Sequence, residues 1–268
     1  MGFIYWIASY PKSGNNWTRA FLTDLITDGA RSATGQSPQI VLDETLGRFY
    51  KPFLKKSLET ASEMELAAIR PHAHRMIARK AQNFVLLKTH SLLGLHHGTP
   101  TVTFDVTAGA VYLMRNPLDV AVTYTEHRKK DLDDTIAAMN HSERIPNHPA
   151  TRSYEIIGSW SENVASWTKP HDRVLVLRHE DMLADPAAAF GSMVQFLKMD
   201  VSAEQLSRAL ESSQSRAEIP GLWRKELSEE QVATLVRRHE VTMKRFGYWL
   251  DEFDGLLGRS ATPAVSYP

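Results

Sequence analysis

Residues 10–17 read Tyr-Pro-Lys-Ser-Gly-Asn-Asn-Trp and join two stretches of different periodicity. Residues 3–8, before them, form an unbroken apolar run. After them, Trp17, Phe21 and Leu25 recur at helical spacing, with Leu22 and Ile26 beside them. The pattern predicts a strand, a glycine-containing turn and a helix. At such a junction the turn amides and the first helical N–H groups have no chain partner and converge on one point. That point is electropositive and suits an anion, phosphate above all. Lys12 adds a mobile positive charge, and Asn15 or Asn16 is expected to cap the helix. The stretch is not a Walker A loop, because the lysine precedes the glycine instead of following it.

Nothing global in the chain would attract an anion. Lys plus Arg number 31 and Asp plus Glu number 31 in 268 residues, so the formal charge is zero and any anion site must be built locally. No nucleic-acid or membrane partner is expected. The length suffices for one large α/β domain over residues 1–268. There is no cysteine, which excludes disulfides, thiolate nucleophiles and cysteine-based metal sites. The apolar start is too short to span a membrane and lacks a basic leader, so a cytoplasmic protein is expected. His72 with His74, and His96 with His97, lack the i, i+4 spacing of a zinc-binding helix, and no metal is expected.

Three further apolar runs, residues 84–87, 110–114 and 173–177, read as strands, and helical patterns alternate with them. The first leads into Lys88-Thr89-His90. If the strand continues, the side chains of Lys88 and His90 point the same way, beyond a strand end where open α/β sheets carry their chemistry. The second leads into Arg115-Asn116-Pro117. Asn116 suits the N-cap and Pro117 the first helical position, which puts Arg115 at an electropositive helix start where it can grip a phosphate. Thr123 lies two turns further on and offers a hydroxyl. Residues 61–82 read as a helix that Pro71 breaks or kinks. Residues 29–60 are irregular and 128–155 polar; each is either a cover over a pocket or a surface loop. Asp185-Pro186, Ser202 with Gln205, and Ser228 with Gln231 open three later helices.

These motifs together resemble the sulfotransferases that use 3′-phosphoadenosine-5′-phosphosulfate (PAPS) and release its desulfonated product, PAP. Residues 10–17 resemble the family's phosphosulfate loop, with Asn15 and Asn16 in place of two threonines. Arg115 to Tyr124 resembles its second signature, with Thr123 in place of a serine. The resemblance implies a P-loop-like α/β domain with a mostly parallel sheet flanked by helices on both sides. It implies that Lys12, Ser13, Gly14, Asn15, Asn16 and Trp17 surround the donor, and that Arg115 and Thr123 hold its 3′-phosphate. His90 would be the general base, with Lys12 and Lys88 stabilising the departing phosphate. His179 stands where relatives carry an adenine-contacting tyrosine, and Ser213 matches a residue near the adenosine. Aligning residues 221–224 on the family's third motif puts Arg216 on its arginine. It also puts Ala217 and Glu218 where the family has lysine and glycine, and a carboxylate there is out of character.

The resemblance thus implies sulfuryl transfer from PAPS, without a metal, to a hydroxyl or amine of a small-molecule acceptor, and the departures at Asn15, Asn16 and the third motif point away from the best-known branch toward a bacterial-style small-molecule or natural-product enzyme. Two other readings stay open, a P-loop kinase or NTPase and a non-catalytic nucleotide-binding module.

Overall fold

The computed structural model describes residues 2–29, 38–141, 144–145 and 151–259. The strands are β1 (Phe3–Ser9), β2 (Val41–Asp43), β3 (Phe84–Thr89), β4 (Leu95–His96), β5 (Thr99–Pro100), β6 (Thr107–Met114), β7 (Arg144–Ile145), β8 (Glu155–Ile156) and β9 (Val174–Arg178). Interleaved with them are helices α1 (Asn15–Thr27), α2 (Glu63–Lys80), α3 (Pro117–Arg128), α4 (Leu132–Asn140), α5 (Trp160–Trp167), α6 (His179–Ala184), α7 (Pro186–Phe196), α8 (Ala203–Ser213), α9 (Trp223–Glu226), α10 (Glu229–Arg245) and α11 (Glu252–Leu256).

Five strands form one parallel sheet in the order β2-β3-β1-β6-β9. A parallel sheet covered on both faces needs strands that are apolar throughout. The sequence Phe-Ile-Tyr-Trp-Ile-Ala-Ser of β1 meets that need, with every residue after Phe3 buried. Alternate residues then serve opposite faces. Trp6, Ala8, Tyr112 and Met114 pack with Leu66, Leu118, Val164 and Leu235 from α2, α3, α5 and α10. Tyr5, Ile7, Val111 and Leu113 pack with Trp17, Phe21, Phe190 and Met193 from α1 and α7. The chain therefore leaves β1 toward one face and the adjacent β6 toward the other. Such a topological switch point opens a crevice beyond the strand ends.

Four local expectations change. Residues 63–80 form one helix through Pro71, because a Ser62–Glu65 capping box and a buried face of Leu66, Ala73 and Ile77 hold what the missing N–H does not. The helix after the anion loop begins at Asn15 with Gly14 in the N-cap position, and neither Asn15 nor Asn16 caps it. The Asn15 amide instead donates to the Ile7 carbonyl at 3.2 Å and to the Ser9 hydroxyl at 3.2 Å, tying the loop back to β1. The polar stretch 128–155 contains α4, which Asp131 caps, and Thr135, Ile136 and Met139 bury one side of it. Residues 142–143 and 146–150 of that stretch, and 30–37 of the stretch 29–60, lie outside the described residues. Finally, β3 stops at Thr89, so His90 stands just past the strand and not on it.

Candidate active site

The loop between β1 and α1 turns on two residues with left-handed backbone, Lys12 at φ 65° and Gly14 at φ 96°. A side chain at position 14 would place its Cβ 2.9 Å from Nδ1 of His179. Glycine is thus required twice there, for its torsion and for the approach of His179. Around the loop, the buried Ser13 and Thr18 hydroxyls, the Nε of Arg115 and the Nδ1 of His179 have no hydrogen-bond partner. Buried polar atoms in folded proteins are nearly always paired, so orphans concentrated at one loop point to a ligand.

Arg115 follows β6 and is fully buried. Its Nη1 donates to the Lys12 carbonyl at 3.1 Å and reaches the Thr123 hydroxyl at 3.5 Å, and its Nη2 donates to the Ile219 carbonyl at 3.2 Å. The Thr123 hydroxyl donates back to the Asp119 carbonyl at 3.0 Å. Asn116 caps α3 by accepting from the Leu118 amide at 3.0 Å. Both principal cations meet one carboxylate. Glu218 lies 3.2 Å from the Lys12 ammonium and directly against the Arg115 guanidinium. Its backbone carbonyl also accepts from His179 Nε2 at 2.9 Å.

His90 stands between β3 and β1. Its Nδ1 lies 2.8 Å from the Ser9 carbonyl and 3.1 Å from the Ser9 hydroxyl. A carbonyl only accepts, so Nδ1 carries the proton and Nε2 presents its lone pair. Burial lowers the imidazole pKa to about 4, and the neighbouring Lys88 cation pushes the same way. The side chain is therefore neutral at ordinary pH. The backbone is held as firmly: the His90 amide donates to Glu155 Oε1 at 2.7 Å, and Asn163 donates to the His90 carbonyl at 2.9 Å.

Lys88 is buried in a carboxylate cage, with Glu155 at 3.1 Å and Asp43 at 3.6 Å. Its charge is spent on that cage, which makes Lys88 a fixed cation under His90 and not a mobile one. His179 is fully buried and meets Trp17 edge-on, with ring centroids 5.9 Å apart. Trp17 is itself core, packed on Phe190 at 5.0 Å. Neither ring offers an open face for stacking. Ser213 is buried and donates to the Leu210 carbonyl at 3.3 Å. Arg216, with Asn16, Arg19 and Ser215, lines a polar cavity of about 500 Å³ beside α1, and Arg115 is not among that cavity's lining residues.

The structure adds four residues to the assembly: Glu155, which clamps Lys88 and His90; Asp119 of the second signature, which accepts from the Gly221 amide at 2.9 Å and the Trp223 amide at 3.3 Å; Glu218, out of character in the third motif; and His127. The His127 pKa is lowered by burial and by the charges of Lys12 and Lys88, which puts it on the cleft side of α3. Away from the cleft, ligand atoms of Glu63, His96 and His97 come within 4.8 Å of one another. Sequence spacing hid that grouping because Glu63 comes from a different element, α2. His96 Nδ1 is already 3.1 Å from the Tyr154 hydroxyl.

A parallel sheet with a glycine-containing loop, a buried arginine and a neutral histidine beyond its strand ends defines a P-loop-like α/β protein. The chain belongs to the sulfotransferase domain family, whose model matches residues 5–218. Sulfotransferase 1A1 of Mus musculus is 25% identical over 205 residues, covering 71% of this chain and 58% of that protein. Sulfotransferase 1B1 of Canis lupus familiaris is 25% identical over 213 residues, covering 76% of this chain and 62% of that protein. The chain thus spans about three-fifths of the length of these relatives. The fold is shared with a mouse sulfotransferase, SULT7A1, crystallised with PAP, at a TM-score of 0.56 and 14% identity, covering 97% of this chain and 90% of that one. It is shared also with retinol dehydratase crystallised with androsterone and PAP, at a TM-score of 0.56 and 20% identity, covering 90% of this chain and 80% of that one.

Proposed function

We propose that this chain transfers a sulfuryl group from PAPS to a hydroxyl of a small-molecule acceptor, with an amine as the alternative acceptor group. The observation that carries the reading is the orientation of His90, which is neutral, donates its Nδ1 proton to the Ser9 carbonyl, keeps its Nε2 lone pair free of that contact, and lies close enough to Lys88 to feel its charge. Nucleotide binding alone does not require a positioned base.

In this reading the loop from Lys12 to Trp17 receives the 5′ end of the donor, and Arg115 with Thr123 receives the 3′-phosphate. Ser13 and Thr18 supply hydroxyls that have no other partner. The polar cavity beside Asn16 and Arg216 suits the nucleoside. His90 Nε2 accepts the acceptor's proton as the acceptor oxygen bonds to sulfur. The bond from sulfur to the bridging phosphate oxygen breaks, and Lys12 and the loop amides stabilise the charge that grows on that oxygen. Arg115 holds the remote phosphate, so binding energy far from sulfur aligns the donor. Cations and amides meet all the charge, and the scheme calls on no metal. The described parts of residues 29–60 and 128–155 are assigned to covering the acceptor.

The test is turnover. Labelled PAPS offered with a panel of hydroxylated acceptors should give labelled product in the presence of EDTA, whereas ATP with Mg²⁺ should give none. Transfer from ATP would favour the kinase reading, and PAP binding without transfer to any acceptor would favour the non-catalytic module.

A further inference from the structure

One carboxylate sits where a phosphate would be held. The Glu218 side chain bridges Lys12 and Arg115, its backbone carbonyl accepts from His179, and the next residue's carbonyl accepts from Arg115. Asp119 then fixes the amides of Gly221 and Trp223. The segment is thus tied down across the anion loop through the same groups that would grip the ligand. Arg115 is fully buried and Glu218 about a quarter exposed, so this ion pair is only partly screened by water.

We infer that Glu218 is an internal anion that competes with the donor's 3′-phosphate for Arg115 and so sets the affinity of the site. The inference rests on the donor reading given above. A carboxylate carries one charge and two oxygens, and a phosphate up to two charges and three oxygens. A phosphate can therefore displace Glu218, but only the difference between the two contacts is left as binding. A glycine at this position, as the resemblance would have it, offers no such competitor. The exchange works in both directions: when product leaves, Glu218 returns to Arg115, and the buried guanidinium is never left without an anion. The site is thereby tuned for moderate retention and ready release of PAP.

The inference also distinguishes between ligands. PAP must displace Glu218 from both cations. AMP, which has no 3′-phosphate, opposes Glu218 only at Lys12 and leaves the pair with Arg115 in place.

The experiment is calorimetric titration of PAP and AMP into the wild-type chain, Glu218→Gln and Glu218→Ala, with thermal melts of each protein without ligand and with saturating PAP. Glutamine keeps the shape and removes the charge. PAP should bind Glu218→Gln about tenfold tighter or more, the scale of one charge-assisted contact, and AMP should gain clearly less. Without PAP the variant should melt below wild type, because Arg115 has lost its counter-ion. With PAP the gap should close or reverse. Unchanged or weaker PAP binding by both variants, beside normal binding by wild type, would overturn the inference and leave the donor reading standing. Failure of PAP to bind any of the three proteins would overturn both.

Discussion

The Ser9 carbonyl faces His90 Nδ1 at 2.8 Å, and this one contact fixes which nitrogen of His90 carries the proton and which presents its lone pair. Replacing His90 by alanine removes proton acceptance and leaves the phosphate-holding groups alone. Single-turnover transfer from labelled PAPS should slow by about 10²–10⁴, while PAP affinity hardly changes. The pH dependence is equally specific. A base works only when neutral, so its activity is lost as pH falls through its pKa. For an unperturbed histidine that loss would centre near 6.5. With the His90 pKa lowered to about 4 by burial and by Lys88, the rate should stay level through pH 6.5 and fall only near 4. A midpoint at 6.5 in the chemical step would remove this environment, or His90, from the mechanism.

Arg115→Ala should weaken PAP by about 1.5–3 kcal/mol, the worth of hydrogen bonds to a charged group, and leave AMP nearly untouched. The coupling to Glu218 adds a second expectation. In the wild-type background the loss should lie at the low end, because removing Arg115 also removes the competition. In a Glu218→Gln background it should be larger. Equal losses in the two backgrounds, measured by titration as a double-mutant cycle, would show that the residues act independently.

Lys88 and Glu155 form a buried ion pair, and breaking one side of such a pair is costly. Glu155→Leu should destabilise the fold by about 3–5 kcal/mol in urea unfolding. Lys88→Met combined with Glu155→Leu should recover most of that loss, since two apolar groups leave no unpaired charge. Asp43 keeps other partners in Thr45 and Arg152. A double variant as unstable as the single one would contradict this account.

Stability should fall in mild acid. The His239 pKa is lowered to about 3, chiefly by burial, and that of His90 to about 4. Unfolded, both titrate near 6.5. Below that pH the unfolded chain binds protons that the folded chain refuses, so stability declines as pH drops from about 6.5 toward 4. Above 6.5 the two groups contribute no slope. His239→Gln should flatten part of the decline in melting temperature, and an unchanged slope would exclude His239 as a source.

The sheet was legible because its strands are apolar runs that end in turn or charged residues. The runs at 3–8, 84–87, 110–114 and 173–177 all became strands, each within a few residues. The capping boxes at Ser202 and Ser228 were legible because both partners lie within four residues of each other. The short edge strand β2 was not legible, since three residues carry no period. Helix α4 was hidden by the acidic residues around its buried side. The anion loop and Arg115 were readable as local spellings. Glu218 could be seen to be out of place, but its partners lie about a hundred or more residues away. Asp119 also meets partners about a hundred residues away and Glu155 partners 65 and 67 residues away, so their roles arise only when distant elements meet.

The pairing of β1 with β6 has a consequence of its own. Ser9 stands opposite Leu113 in that ladder; Lys12 follows Ser9 by three residues and Arg115 follows Leu113 by two. Neighbouring strands are about 4.8 Å apart, so the separation of the two cations is gauged by backbone hydrogen bonds that no ligand touches. Substitutions in the covering segments can then remodel the acceptor side without recalibrating that gauge. On the proposed reading, a chain built this way can diversify its acceptor while the spacing of its two phosphate-holding cations stays the same length.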